Sequence, residues 1–153
     1  MVTTHKISAE LYDNTYKLIA LHSGLTSYTM AYNINKVVNI KLKRCFEDLD
    51  VAQIDFPIYE WRDEVTETTW TLLGNTIKIE EQSESYGLFQ DKTNIRTHHL
   101  IEERKEVDYF LKIETEEESV LSQTVQLLKS IPQIVTAYSI ESEALKSKRN
   151  LIF

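Results

Sequence analysis

The sequence predicts an α+β fold: a single domain spanning residues 1–153, with two main helices, at about 26–38 and 116–131, packed on a mixed or mainly antiparallel sheet of five to seven strands. Three observations carry this reading. Residues 107–140 run as an alternating segment, an amphipathic segment and a second alternating segment. Residues 15–46 repeat that layout, and between the two units residues 55–79 hold two aromatic, β-branched runs divided by a charged turn. The arrangement is reminiscent of split βαβ folds.

In chain order, TYKLIALHS at 15–23 is a short apolar run that Gly24 breaks, after which Thr26 or Ser27 can cap a helix. Met30, Ala31, Ile34, Val37 and Val38 follow at helical spacing. Ile40, Leu42 and Arg44 interleave with Lys41, Lys43 and Cys45, which predicts a strand with one half-wet face. FPIYEW and TTWTLL flank the charged RDEVTE as a hairpin, and Gly74-Asn75 turns the chain into 76–79. Residues 80–98 have little periodicity and much Ser and charge, which predicts a surface loop.

Val107, Tyr109, Leu111 and Ile113 then alternate with Asp108, Phe110, Lys112 and Glu114, and Phe110 alone departs from the pattern of a half-solvated strand. Thr115 and Glu118 stand at capping-box spacing, and three consecutive glutamates suit the positive end of a helix. Val120, Leu121, Thr124, Leu127, Leu128 and Ile131 form its apolar stripe until Pro132 ends it. Ile134, Thr136, Tyr138 and Ile140 give the last strand.

At 153 residues, the chain buries enough surface to fold without disulfides or a structural metal, and the lone Cys45 has no partner within it. No run of eighteen apolar residues occurs and no charged-then-apolar leader follows Met1, so a soluble cytoplasmic protein is expected. The net charge of −7, from 17 basic and 24 acidic residues, argues against broad nucleic-acid binding. Three dispersed glycines make no phosphate cradle, and neither a GxSxG elbow nor an HExxH helix is present.

Single residues that invite chemistry mostly have plainer explanations. His98 and His99 are adjacent, so a regular strand points them to opposite faces and away from one metal. Glu102, Glu103, Glu106 and Asp108 resemble a carboxylate cluster, but charged surface explains the glutamates. Asp108 lies inside an apolar strand and is expected to make a structural hydrogen bond fixing register or a neighbouring loop. Cys45 has basic neighbours but no paired histidine, which favours a half-buried structural cysteine. Lys36, Lys41, Lys43 and Arg44, joined by Lys146, Lys148 and Arg149 if the two regions meet, with Tyr28, Tyr32, Phe46 and Tyr59 as stackers, form the RNA-binding alternative, and core or hairpin packing accounts for most of those aromatics.

Residues 101–109 read Ile-Glu-Glu-Arg-Lys-Glu-Val-Asp-Tyr, and this segment resembles the signature of the IPExxxVDY family of small bacterial proteins, with Glu102 in place of the family's Pro. The resemblance runs on through FLKIE, IPQIVTAYSI and LKSKRNLIF, and upstream to LIALHSGL and TTWTLLGN, covering most of the chain. It implies a cytoplasmic domain and carries no catalytic residue or cofactor with it.

These readings converge on a non-enzymatic protein-binding or adaptor domain with no cofactor, acting at a sheet edge and through the C-terminal residues 145–153. The candidate interaction residues are Leu145, Lys146, Lys148, Arg149, Leu151, Ile152 and Phe153, because an apolar triplet closes the chain straight after a basic stretch, and that triplet either packs on the domain's own core, the plainer alternative, or anchors in a partner's groove. A protein partner or a homo-oligomer is expected, with no membrane and no nucleic acid. The alternative is a small-ligand-binding regulatory domain, its pocket between the two strand-helix-strand units and lined by Trp61, Trp70 and Tyr109. An RNA-associated protein and an enzyme using Asp108 with a histidine are the lesser readings.

Overall fold

The computed structural model describes residues 16–82 and 93–153. Along the chain they form β1 (Tyr16–Ser23), α1 (Ser27–Val38), β2 (Lys43–Arg44), β3 (Leu49–Val51), β4 (Ile54–Phe56), β5 (Ile58–Asp63) and β6 (Thr68–Gly74). They continue with β7 (Thr76–Gln82), β8 (Thr93–His99), β9 (Tyr109–Glu114), α2 (Ser119–Lys129) and β10 (Ile134–Ile140). The main sheet has six strands in the order β10-β1-β9-β6-β5-β2, and every neighbouring pair is antiparallel. Two small ribbons, β3-β4 and β7-β8, complete the strand structure.

Antiparallel pairing of β1 with both β9 and β10 makes the last two strands parallel to each other, with α2 crossing between them. That is the expected split βαβ unit, with β1 inserted in the split. The first unit spreads wider, because β1 and β2 lie four places apart and α1 crosses the sheet to join them.

Both faces of the sheet are buried. On one face Ile19, Leu21, Leu72, Leu111 and Ile113 meet Met30, Ala31 and Ile34 of α1 and Leu128 of α2. On the other, Leu18, Ala20, Leu73 and Phe110 meet Phe56, Leu100, Ile101, Val107, Leu145 and Leu151. Phe110 therefore breaks the alternation in β9 because its face is covered by the second layer instead of by water.

Three expected elements differ in their bounds. Residues 80–82 and 93–98, read as loop, are strand: β7 pairs with β8 from Thr76↔His99 to Gln82↔Thr93, while 83–92 lies outside the described residues. The expected strand at 40–45 shrinks to Lys43–Arg44, since the Asn35 side chain takes the Leu42 N–H at 2.8 Å and donates to its carbonyl at 3.0 Å. Helix α2 starts at Ser119, because Thr115 Oγ1 accepts from the Glu117 N–H at 3.1 Å and closes a tight turn in place of a capping box. Glu118 is meanwhile drawn to Lys17 at 2.9 Å.

Candidate functional site

Asn75 is fully buried between β6 and β7 and organises the segment before β9. Its Nδ2 donates to the carbonyls of Arg104 and Val107, each at 2.8 Å, and its Oδ1 accepts from the Ile101 N–H at 2.8 Å. Its own N–H donates to the Asp108 carbonyl at 2.9 Å, and its carbonyl accepts from Leu100 at 2.8 Å. One side chain thus does for residues 100–108 what a paired strand would otherwise do.

Asp108 Oδ2 accepts from the Ser23 N–H at 2.8 Å, where β1 leaves the sheet, and the Asp108 N–H donates to the Leu21 carbonyl at 3.0 Å. The Tyr109 hydroxyl donates to the Leu25 carbonyl, one residue before the α1 cap. Burial pushes the Tyr109 phenol above its ordinary pKa, and the Asp108 carboxylate adds to the shift. Glu103 reaches the other way and accepts from the Ser147 N–H and hydroxyl, both at 2.7 Å. Burial works against its ionisation, but the Ser147 hydrogen bonds outweigh it and hold the carboxyl below its usual range. Residues 101–109 therefore tie β1, the α1 entry and the C-terminal segment to one another.

The four acids of that segment do not assemble. Glu102 faces Lys105 at 3.6 Å, Glu106 faces Arg104 at 3.2 Å, Glu103 holds Ser147 and Asp108 holds Ser23. At the same end of the sheet opens a cleft of about 350 Å³, lined in part by Ser23, Ser27, Thr76, Asp108 and Tyr109. Tyr109 occupies its expected place there. Trp61 and Trp70 do not: they pair across β5 and β6 and pack in the helix-covered core.

The C-terminal candidates separate by burial. Leu145 and Leu151 are core residues of the second layer, and Asn150 Nδ2 donates to the Leu100 carbonyl at 2.7 Å beside them. Of the closing apolar triplet, Leu151 alone is packed into the domain's own core, at the end of the closing 3-10 turn. Lys146 and Arg149 are exposed and Lys148 is half-buried. Ile152 and Phe153 are partly exposed, with the Phe153 ring 4.4 Å from the Lys112 ammonium. Lys112 is 3% exposed in the middle of the sheet, with Glu114 at 3.4 Å and the Tyr16 ring at 4.9 Å.

Elsewhere, no group of three metal-ligating side chains occurs among the described residues. His99 Nδ1 meets the Thr76 hydroxyl at 3.3 Å, on the strand next to its own. Burial pushes the Cys45 thiol up, and the Glu60 carboxylate adds more than Arg44 removes, so its basic neighbours do not activate it. Tyr28, Tyr32 and Phe46 are exposed, against the packing expected for them, whereas Tyr59 is buried beneath Arg44. The nearby bases are interleaved with acids: Arg44 pairs with Asp48, and Lys43 lies opposite Glu60.

The two edges of the main sheet are finished differently. At one end β2 is two residues long, both basic and exposed. At the other, β10 is seven residues long and, among the described residues, pairs only with β1. Val135 there is 83% exposed, where the register slips opposite His22 and Ser23. Helix α2 packs on β10, and its outer face carries a shallow groove lined by Ser122, Gln123, Gln126, Leu127 and Ser130.

The chain matches no protein-family model and no curated protein. Its candidate surfaces therefore rest on their own geometry.

Two features that matter most, Asn75 and the β10 edge, were not singled out from the sequence. Asn75 was expected only as a turn residue, and nothing in its neighbourhood marks it as buried. The β10 edge did leave a signal: from Ser119 to Ile140 the sequence has one charged residue, Lys129, in a chain that is 27% charged. No helix among the described residues is long and apolar enough to cross a membrane.

Proposed function

We propose that this domain is a non-enzymatic protein-binding module whose contact surface is the free edge of β10 together with the outer face of α2. The observation that supports it is the contrast between the sheet's edges. A strand with one partner leaves every second backbone N–H and C=O unpaired, and sheet proteins ordinarily blunt such an edge by shortening it or charging it. Here β2 is both short and charged, whereas β10 is long and uncharged, with the register slip at Val135 as its one irregularity, and is flanked by a helix face of Ser, Gln and Leu. Depletion of charge is the compositional mark of an interface centre, and strand addition is its simplest use. The C-terminal residues then serve the fold through Leu145 and Leu151, leaving Ile152 and Phe153 as accessory contacts.

The test is affinity capture from cells that make the protein, comparing wild type with Val135→Lys. A stoichiometric protein lost with the edge charge supports the reading, and an unchanged set of captured proteins rejects it.

The cleft beside Asp108 supports a second reading, a small-ligand domain, since the polar residues Ser23, Ser27, Thr76 and Asp108 are among those that line it. A fragment screen by amide chemical shift tests it: perturbations grouped at 23–27 and 74–77 support a ligand site, and shifts scattered over the surface do not. The likeness of residues 101–109 to the IPExxxVDY signature stands as a proposal of kinship, supported by the structural work that Ile101, Glu103, Val107, Asp108 and Tyr109 share.

A further inference from the structure

We infer that the partner of the β10 edge is a second copy of this chain, joined antiparallel about a two-fold axis near Ala137 so that two six-stranded sheets become one. This rests on the reading of β10 and α2 as the contact surface. Three observations select a second copy. The chain carries −7, so two copies repel over most of their surfaces, and a face without carboxylates is where they approach at least cost. The exposed residues Gln123, Gln126 and Leu127 of α2 and Val135, Thr136 and Ser139 of β10 carry no charge. The charges at its ends are complementary under two-fold symmetry: Lys129 precedes the strand, while Glu141 and Glu143 follow it, all three exposed. Antiparallel pairing sets the leading end of each β10 beside the trailing end of the other, bringing opposite charges together at both ends and like charges at neither.

The uncharged run of β10 also encodes no pattern of side-chain charge that would select a different strand. Its own backbone, turned about a two-fold, supplies the missing donors and acceptors. Because α2 packs over β10, the same operation places the two α2 helices on one face of the joined sheet.

Sedimentation equilibrium of the full chain from about 1 to about 100 µM, a span that brackets ordinary affinities, is the first measurement. Wild type is expected to form dimers within it, and Val135→Lys and Ser139→Glu are each expected to be monomeric throughout. Both side chains are exposed, so wild-type melting temperatures verify the fold of the variants. An axis near Ala137 sets Val135 against Ser139 of the second copy, so an equimolar mixture of the two variants is expected to recover the dimer. A wild-type dimer that Val135→Lys leaves intact overturns the inference, because association then uses another face. A mixture that stays monomeric overturns the two-fold pairing. A wild type that is monomeric at the highest concentration overturns self-association. In that case the capture experiment decides the parent reading separately: a different protein lost with Val135→Lys keeps the edge as a binding surface, and no loss removes it.

Discussion

Asn75 is the residue whose loss does most damage for its size. Replacing it with Ala leaves the Arg104 and Val107 carbonyls and the Ile101 N–H without their partner in the core, and each such group costs about 1–3 kcal/mol. Asn75→Ala is therefore expected to lower stability by about 3 kcal/mol or more in urea denaturation, and to expose residues 100–108 to hydrogen exchange before the rest of the sheet. Tyr109 makes a smaller contribution with a distinct pH signature. Its phenol is neutral in the fold and its pKa is raised, so its stabilisation is complete below the unfolded value near ~10 and is lost as pH rises through the folded one. Melting temperature followed from pH 8 to pH 11, about two units below to one above that unfolded value, is expected to fall more steeply in wild type than in Tyr109→Phe. At neutral pH that variant is expected to cost about 1 kcal/mol for the lost bond to the Leu25 carbonyl.

At the level of the element, the β3-β4 ribbon turns through Ala52 and Gln53 at φ 53° and 66°. Two successive left-handed residues are the geometry of a tight hairpin turn that Asn-Gly adopts with least strain. The double substitution Ala52→Asn, Gln53→Gly is expected to stabilise the protein by about 1 kcal/mol, seen as a rise of a few degrees in melting temperature. The bounds of the other elements show where local pattern is outbid. Thr115 and Glu118 have capping-box spacing, yet Thr115 bonds a nearer N–H and Glu118 finds Lys17 across the sheet. Residues 40–42 have strand alternation, yet Asn35 claims the Leu42 backbone from a helix seven residues away. In each case a side-chain partner that periodicity does not register took the hydrogen bond on which the element's length depended.

At the level of the whole molecule, the second layer distinguishes what the C-terminal residues do. Leu151 is fully buried against the face that holds Phe110, whereas Phe153 is half-exposed over Lys112. Leu151→Ala is expected to cost about 2–5 kcal/mol, as for other buried leucines, and Phe153→Ala about 1 kcal/mol, the scale of a cation–π contact; thermal denaturation ranks the two. The α+β class, the two helices and the hairpin of β5 and β6 were legible in the sequence, because periodicity of 3.6 or 2 records whether one side of an element meets a core. Asp108 was legible as a polar residue in need of a partner, for the same local reason. What the pattern does not record is which element does the covering. That β9 is buried on both faces, that Asn75 lies inside, and that Leu145 and Leu151 fold back while β10 has one partner strand among the described residues follow from contacts between residues far apart in the chain. Those contacts are settled by the packing of layers, in which a long-range partner can complete a hydrogen bond or cover an apolar face that no neighbouring residue reaches.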